Sequence, residues 1–68
     1  MLLTTAFLGR YEGQWRRGEH EGHGRKDWGE GIVYVGEWRR GVMHGAGKYT
    51  MTDGYVMEGS FENDEFMG

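Results

Sequence analysis

Residues 11–33, YEGQWRRGEHEGHGRKDWGEGIV, align without a gap to residues 34–56, YVGEWRRGVMHGAGKYTMTDGYV, and ten of the 23 positions are identical. Unrelated windows would share only about one or two, so this internal period constrains the fold before any single residue does. A third copy begins at Met57 as MEGSFENDEFMG and runs to Gly68. The glycines keep the same register. Gly13, Gly18, Gly22, Gly24 and Gly31 recur as Gly36, Gly41, Gly45, Gly47 and Gly54, and Gly59 and Gly68 continue the series. The chain is therefore divided into residues 1–10, the expected remnant strand of a preceding unit (Leu3 and Thr5 fall in phase with Tyr49 and Met51), repeats over 11–33 and 34–56, and a partial repeat over 57–68.

Inside each unit the spacing is that of a strand. Tyr11, Gly13 and Trp15, and likewise Tyr34, Gly36 and Trp38, sit at alternate positions, which puts both aromatics on one face with a glycine between them. A second strand carries Gly24, Lys26 and Trp28 in one unit and Gly47, Tyr49 and Met51 in the next. Between the strands, RRGEHEG and RRGVMHG supply glycines for turns with positive φ. Asp53-Gly54 is a tight-turn pair leading onward. Each unit thus reads as one antiparallel β-hairpin, and the expected fold is all-β, consecutive hairpins joined edge to edge in a single elongated twisted sheet. Glycine at this density excludes helix, since each interior glycine costs up to about 1 kcal/mol relative to alanine.

Composition narrows what such a sheet could do. Sixty-eight residues without cysteine have no disulfide framework and bury only about 60% of the surface of the unfolded chain, so regular packing or a partner must supply stability. The net charge of −3 disfavours nucleic acid. It is unevenly spread, +2 over residues 1–50 and −5 over residues 51–68. The apolar start, MLLTTAFLG, is too short for a membrane span and carries no basic leader. His20, His23 and His44 lack the spacing of a metal site, no carboxylate pair is set for acid–base chemistry, Ser60 is the only serine, and the glycines lack the Lys-Ser/Thr ending of a phosphate loop. Neither enzyme activity, nor a metal, nor a cofactor is expected.

The pattern Tyr-x-Gly-x-Trp-x-x-Gly-x-x-x-Gly-x-Gly at a period of 23 resembles the MORN (membrane occupation and recognition nexus) repeat. The matching positions are Tyr11, Gly13, Trp15, Gly18, Gly22 and Gly24, then Tyr34, Gly36, Trp38, Gly41, His44, Gly45, Gly47, Tyr49, Asp53 and Gly54. Lys26 stands where the family prefers an aromatic. In the third unit Met57, Phe61 and Asp64 replace Tyr, Trp and Gly, so a weakened turn and an unpaired strand over Met57–Phe61 are expected there. The resemblance implies a scaffold or interaction module with a protein or peptide partner, in the cytoplasm, at cytoskeletal or membrane-associated assemblies. It also implies, as an alternative, a phospholipid-binding adaptor.

Three surfaces follow. The aromatic set Tyr11, Trp15, Trp28, Tyr34, Trp38, Tyr49 and Phe61 reads first as the sheet's own packing face. Because a single sheet has no second layer to cover that face, it also reads as a groove half filled by its own rings and completed by a partner peptide. The pairs Arg16-Arg17 and Arg39-Arg40 occupy equivalent turns about 10 Å apart and read as solvated turns or as an anionic-headgroup rim. The open sheet edges invite strand addition or self-association.

Overall fold

The structure, a computed structural model, describes residues 9–68. The expected remnant strand lies outside the described residues apart from Gly9 and Arg10. Six strands follow one another, β1 (Arg10–Arg16), β2 (Glu19–Gly29), β3 (Ile32–Arg39), β4 (Val42–Thr50), β5 (Val56–Glu62) and β6 (Glu65–Phe66). All neighbours are antiparallel, and the order in space is the order in sequence. The sheet is open, and its Cα extents of 39 × 34 × 15 Å describe a slab one layer thick. This is the hairpin array that the period predicts.

Four of the five connections are two-residue turns with both central residues at positive φ: Arg17-Gly18, Glu30-Gly31, Arg40-Gly41 and Asn63-Asp64. Such turns match the twist of the strands they join. The fifth, residues 51–55, is wider than a tight pair. The Asp53 carboxylate accepts the Tyr55 N–H at 3.0 Å, and Gly54 donates to the Met51 carbonyl at 2.8 Å.

The third unit departs from expectation. β5 is not unpaired: Phe61 faces Phe66 and Glu62 faces Glu65, and the pairing runs on as Met67 donates to the Ser60 carbonyl at 2.8 Å. The missing turn glycine does not open the hairpin because Asn63 and Asp64 take φ values of 50° and 68°, a region that Asn and Asp tolerate. Asp64 is held further by its carboxylate, which accepts the Met43 N–H at 2.8 Å.

Register puts like with like. Gly13, Gly24, Gly36, Gly47 and Gly59 lie opposite one another in a single row crossing five strands. Beside it run Tyr11, Lys26, Tyr34, Tyr49 and Met57. On the other face Glu12, Arg25, Val35, Lys48 and Glu58 form a row of mostly charged side chains that suits water. The exposed ion pairs Arg10–Glu12 (3.4 Å) and Arg25–Asp27 (3.9 Å) belong to that face. Pairs so exposed add little to stability.

Strict alternation fails inside each full hairpin. Gly13 faces Gly24, but two residues on Trp15 faces His20, four residues back, so β2 carries two extra residues opposite Gln14. β4 repeats this opposite Glu37, between its contacts with Gly36 and Trp38. Gly22 and Gly45 turn these bulges at φ 82° and 87°. The side chain of Gln14 lies across the first, accepting the His23 N–H at 2.7 Å. Bulges of this kind bend a strand and raise its twist, so each full repeat carries its own increment of curvature.

Candidate functional site

The aromatic face is built on the glycine row. A Cβ on Gly24 or Gly47 would collide with the ring of Tyr11 or Tyr34, so the glycines leave a slot in which each phenol lies flat on the backbone. Tyr11 donates its hydroxyl proton to the Gln14 carbonyl at 2.6 Å, and Tyr34 does the same to Glu37 at 3.0 Å. Burial pushes the Tyr34 hydroxyl up to about 12, so it remains a neutral donor. Tyr11 is raised by the same cause.

From these slots a line of edge-on rings crosses the sheet. Trp15 meets Tyr11 at 4.9 Å, Tyr11 meets Trp38 at 5.5 Å, Trp38 meets Tyr34 at 5.2 Å, and Tyr34 meets Phe61 at 5.0 Å. Trp28 and Tyr49 join from the side at 6.5 Å from Trp38 and Phe61 respectively. All seven aromatics singled out from the sequence therefore share one face. Tyr34, Trp38, Phe61 and Met43 are buried and form the core, while Tyr11, Trp28 and Tyr49 are half-buried against it. Most of the face is thus packing surface. Trp15 differs, with 57% of its surface exposed against 4% for its repeat equivalent Trp38.

The cause of that difference is one strand. Trp38 lies over the preceding hairpin and donates its indole N–H to the Gly24 carbonyl at 3.1 Å. Trp15 stands on β1, at the edge of the described sheet, and no described strand offers it that acceptor.

Sequence reasoning weighed His20 only as a metal ligand and missed its place in the packing. It occupies the position of buried Met43 and stacks on Tyr11 at 3.7 Å, with Trp15 and Trp38 edge-on at 4.7 and 4.9 Å. Its Nδ1 is buried without a hydrogen-bond partner among the described residues. The repeat alignment with Met43 carried the signal. Desolvation, reinforced by the charge of Lys26, holds its pKa below the ordinary 6.5. The folded state then prefers neutral His20, and the unfolded chain takes up the proton first as pH falls. The contribution is complete above 6.5 and is lost as pH drops through the lowered folded value. His20→Met should flatten that part of the curve of urea midpoint against pH. An unchanged slope would show that His20 is not its source.

Lys26, in place of the family aromatic, holds its ammonium 5.7 Å from the Trp28 ring centre and covers that ring with a cation.

On the rim of the turns, Arg16, Arg17, Arg39 and Arg40 line one cleft of about 270 Å³ together with Glu19 and Glu21. The two turns are drawn together by main-chain N–H donors: that of Gly41 bonds the His20 carbonyl at 3.0 Å and that of Arg40 bonds the Glu21 carboxylate at 3.2 Å. The third turn docks equivalently through Asp64 N–H to the Met43 carbonyl at 3.1 Å. None of the four guanidinium groups forms an ion pair among the described residues. The equivalent turns in the sequence place the arginines on one rim with Glu19 and Glu21 diluting the row, and all six line the cleft. Among the described residues no group of three His, Asp or Glu is placed to hold a metal ion.

A one-layer meander whose units repeat ring, slot and bulge defines a repeat module, a lattice of equivalent positions with side chains varied upon it. A family model for the MORN repeat matches residues 11–33 and 34–54, well over half of the chain, and the chain belongs to the MORN repeat family. MORN repeats are non-catalytic repeat modules, consistent with a scaffold. Among curated proteins, none matches the chain.

Proposed function

We propose that the chain is a scaffold module that binds a partner protein by adding an extended segment to the edge of β1, which no described strand pairs. The observation that supports this most directly is the contrast between Trp15 and Trp38. The same residue, at the same place in the repeat, is buried where a strand lies beside it and exposed where none is described. The repeat specifies the occupant: an antiparallel strand with small residues where Gly22 and Gly24 stand beside β3, and a backbone carbonyl in reach of the Trp15 indole. Main-chain pairing would supply affinity, and the Trp15 ring would read the alternate side chains. Such a module acts by holding proteins together, with no chemistry of its own, and we place it in the cytoplasm.

The test is selection of displayed peptides on the folded chain, followed by tryptophan fluorescence titration of those enriched. Peptides of extended character are expected to bind the native chain and to lose most of their affinity for Trp15→Ser. Because Trp15 is largely exposed, that variant should stay folded, its urea midpoint lowered only modestly by the lost edge contacts with Tyr11 and His20. Binding that ignores the substitution would place the partner elsewhere and sink the reading.

A second reading, an anionic lipid headgroup held on the arginine rim, draws on the convergence of the four arginines. Against it, Glu62, Asp64 and Glu65 occupy the next turn on that rim and would repel an anionic bilayer.

A further inference from the structure

The arginine cleft has chemistry that strand addition does not use. Its lining carries four guanidinium groups and two carboxylates, a formal +2. One of those carboxylates, Glu21, is engaged as an acceptor for the Arg40 N–H and so belongs to the frame of the cleft. The guanidinium groups themselves are exposed and make no ion pair among the described residues. Their donors are available in planar forks that fit oxyanions two bonds at a time.

We propose that this cleft receives a phosphate group carried on a partner protein segment, an inference that rests on the module's reading as a protein scaffold and names the chemistry of one partner. A phosphorylated side chain carries about −1.5 to −2 at neutral pH and three acceptor oxygens, which answers both the charge and the donor count of the cleft. A single carboxylate answers neither, and Glu19 and Glu21 would oppose it.

The rim also says what flanks the phosphate. One turn further on, Glu62 and Asn63 stand in place of the arginines and Asp64 and Glu65 follow them, so the rim changes from basic to acidic over two strand spacings, about 10 Å. An extended segment covers that distance in about three residues. The matching ligand therefore bears a phosphate and, about three positions away, a lysine or arginine. A flat anionic membrane offers no such alternation and would meet the acidic turn wherever it met the arginines.

The experiment uses a fluorescein-labelled peptide carrying phosphoserine with lysine at that spacing, its unphosphorylated counterpart, and vesicles of phosphatidylcholine with and without phosphatidylserine. Anisotropy is read against the native chain and against the combined variant Arg16→Gln, Arg17→Asn, Arg39→Gln, Arg40→Asn. Asparagine is chosen for positions 17 and 40 because Asn63 already holds the same turn position at φ 50°. Thermal melting should show the variant folded. A second variant, Arg39→Gln with Arg40→Asn alone, serves if it is not.

The expected result is binding of the phosphopeptide, weakened about tenfold or more without the phosphate or in the variant, as when hydrogen bonds to a charged group are removed. Equal binding of both peptides, indifference to the variant, no binding at all, or arginine-dependent binding to the phosphatidylserine vesicles in place of the peptide would each overturn the proposal. Trp15→Ser keeps the two readings apart. It should abolish strand addition and leave the phosphopeptide bound, and a failed phosphopeptide leaves the β1 selection result standing.

Discussion

Trp38→Ala should unfold the chain. The indole is 4% exposed, meets Tyr11 and Tyr34 edge-on, and ties β3 to the preceding hairpin through Gly24. Truncating a buried tryptophan costs about 3–5 kcal/mol. At roughly 0.05–0.15 kcal/mol per residue, a chain of this size holds only several kcal/mol altogether. Loss of the cooperative melting transition, read by far-ultraviolet circular dichroism, is the expected outcome. A variant that melts as the native chain does and loses only a partner would mean that Trp38 serves recognition and that the packing face lies elsewhere.

Gly36→Ala should be nearly as damaging, although it adds one methyl group. Its Cβ would sit 2.6 Å from the Ala46 carbonyl oxygen and 2.7 Å from the Tyr34 hydroxyl, and would also strike the Gly47 Cα. Two of those neighbours are backbone, so no rotamer change relieves the overlap. Overpacking of this kind costs about 1–3 kcal/mol and at times more. Gly18→Ala provides the control. Gly18 has a positive φ of 79° but nothing within 4 Å of an added Cβ, so it should bear only the backbone cost, about 1–2 kcal/mol. Urea denaturation of both variants decides the matter. If Gly18→Ala proves the more harmful, turn conformation and not the glycine slot governs this fold.

Much of this architecture was legible in the residues. A period of 23 with glycines in phase leaves little besides a hairpin array, and the alternation of Tyr11, Gly13 and Trp15 put the rings on one face, where they stand. The bulges at Gly22 and Gly45 were hidden because alternation along β1 or β3 is undisturbed, and the two extra residues belong to the partner strand. The closed third hairpin was hidden by the absence of a turn glycine, whose conformation Asn63 and Asp64 adopt in its place. In the candidate site, the arginine pairs could be placed on one rim from their equivalent turns. The packing role of His20 was missed because a histidine read singly is weighed as a metal ligand, whereas its alignment with Met43 marks it as packing.

The agreement between the order of strands in space and their order along the chain bears on how the protein is made. Emerging from the ribosome, each segment meets the surface it needs in the segment synthesised just before it, across a connection of two to five residues. Closing such short loops costs little entropy, and no stretch must remain exposed while a distant one is translated. Vectorial synthesis and assembly of the ribbon are therefore in step.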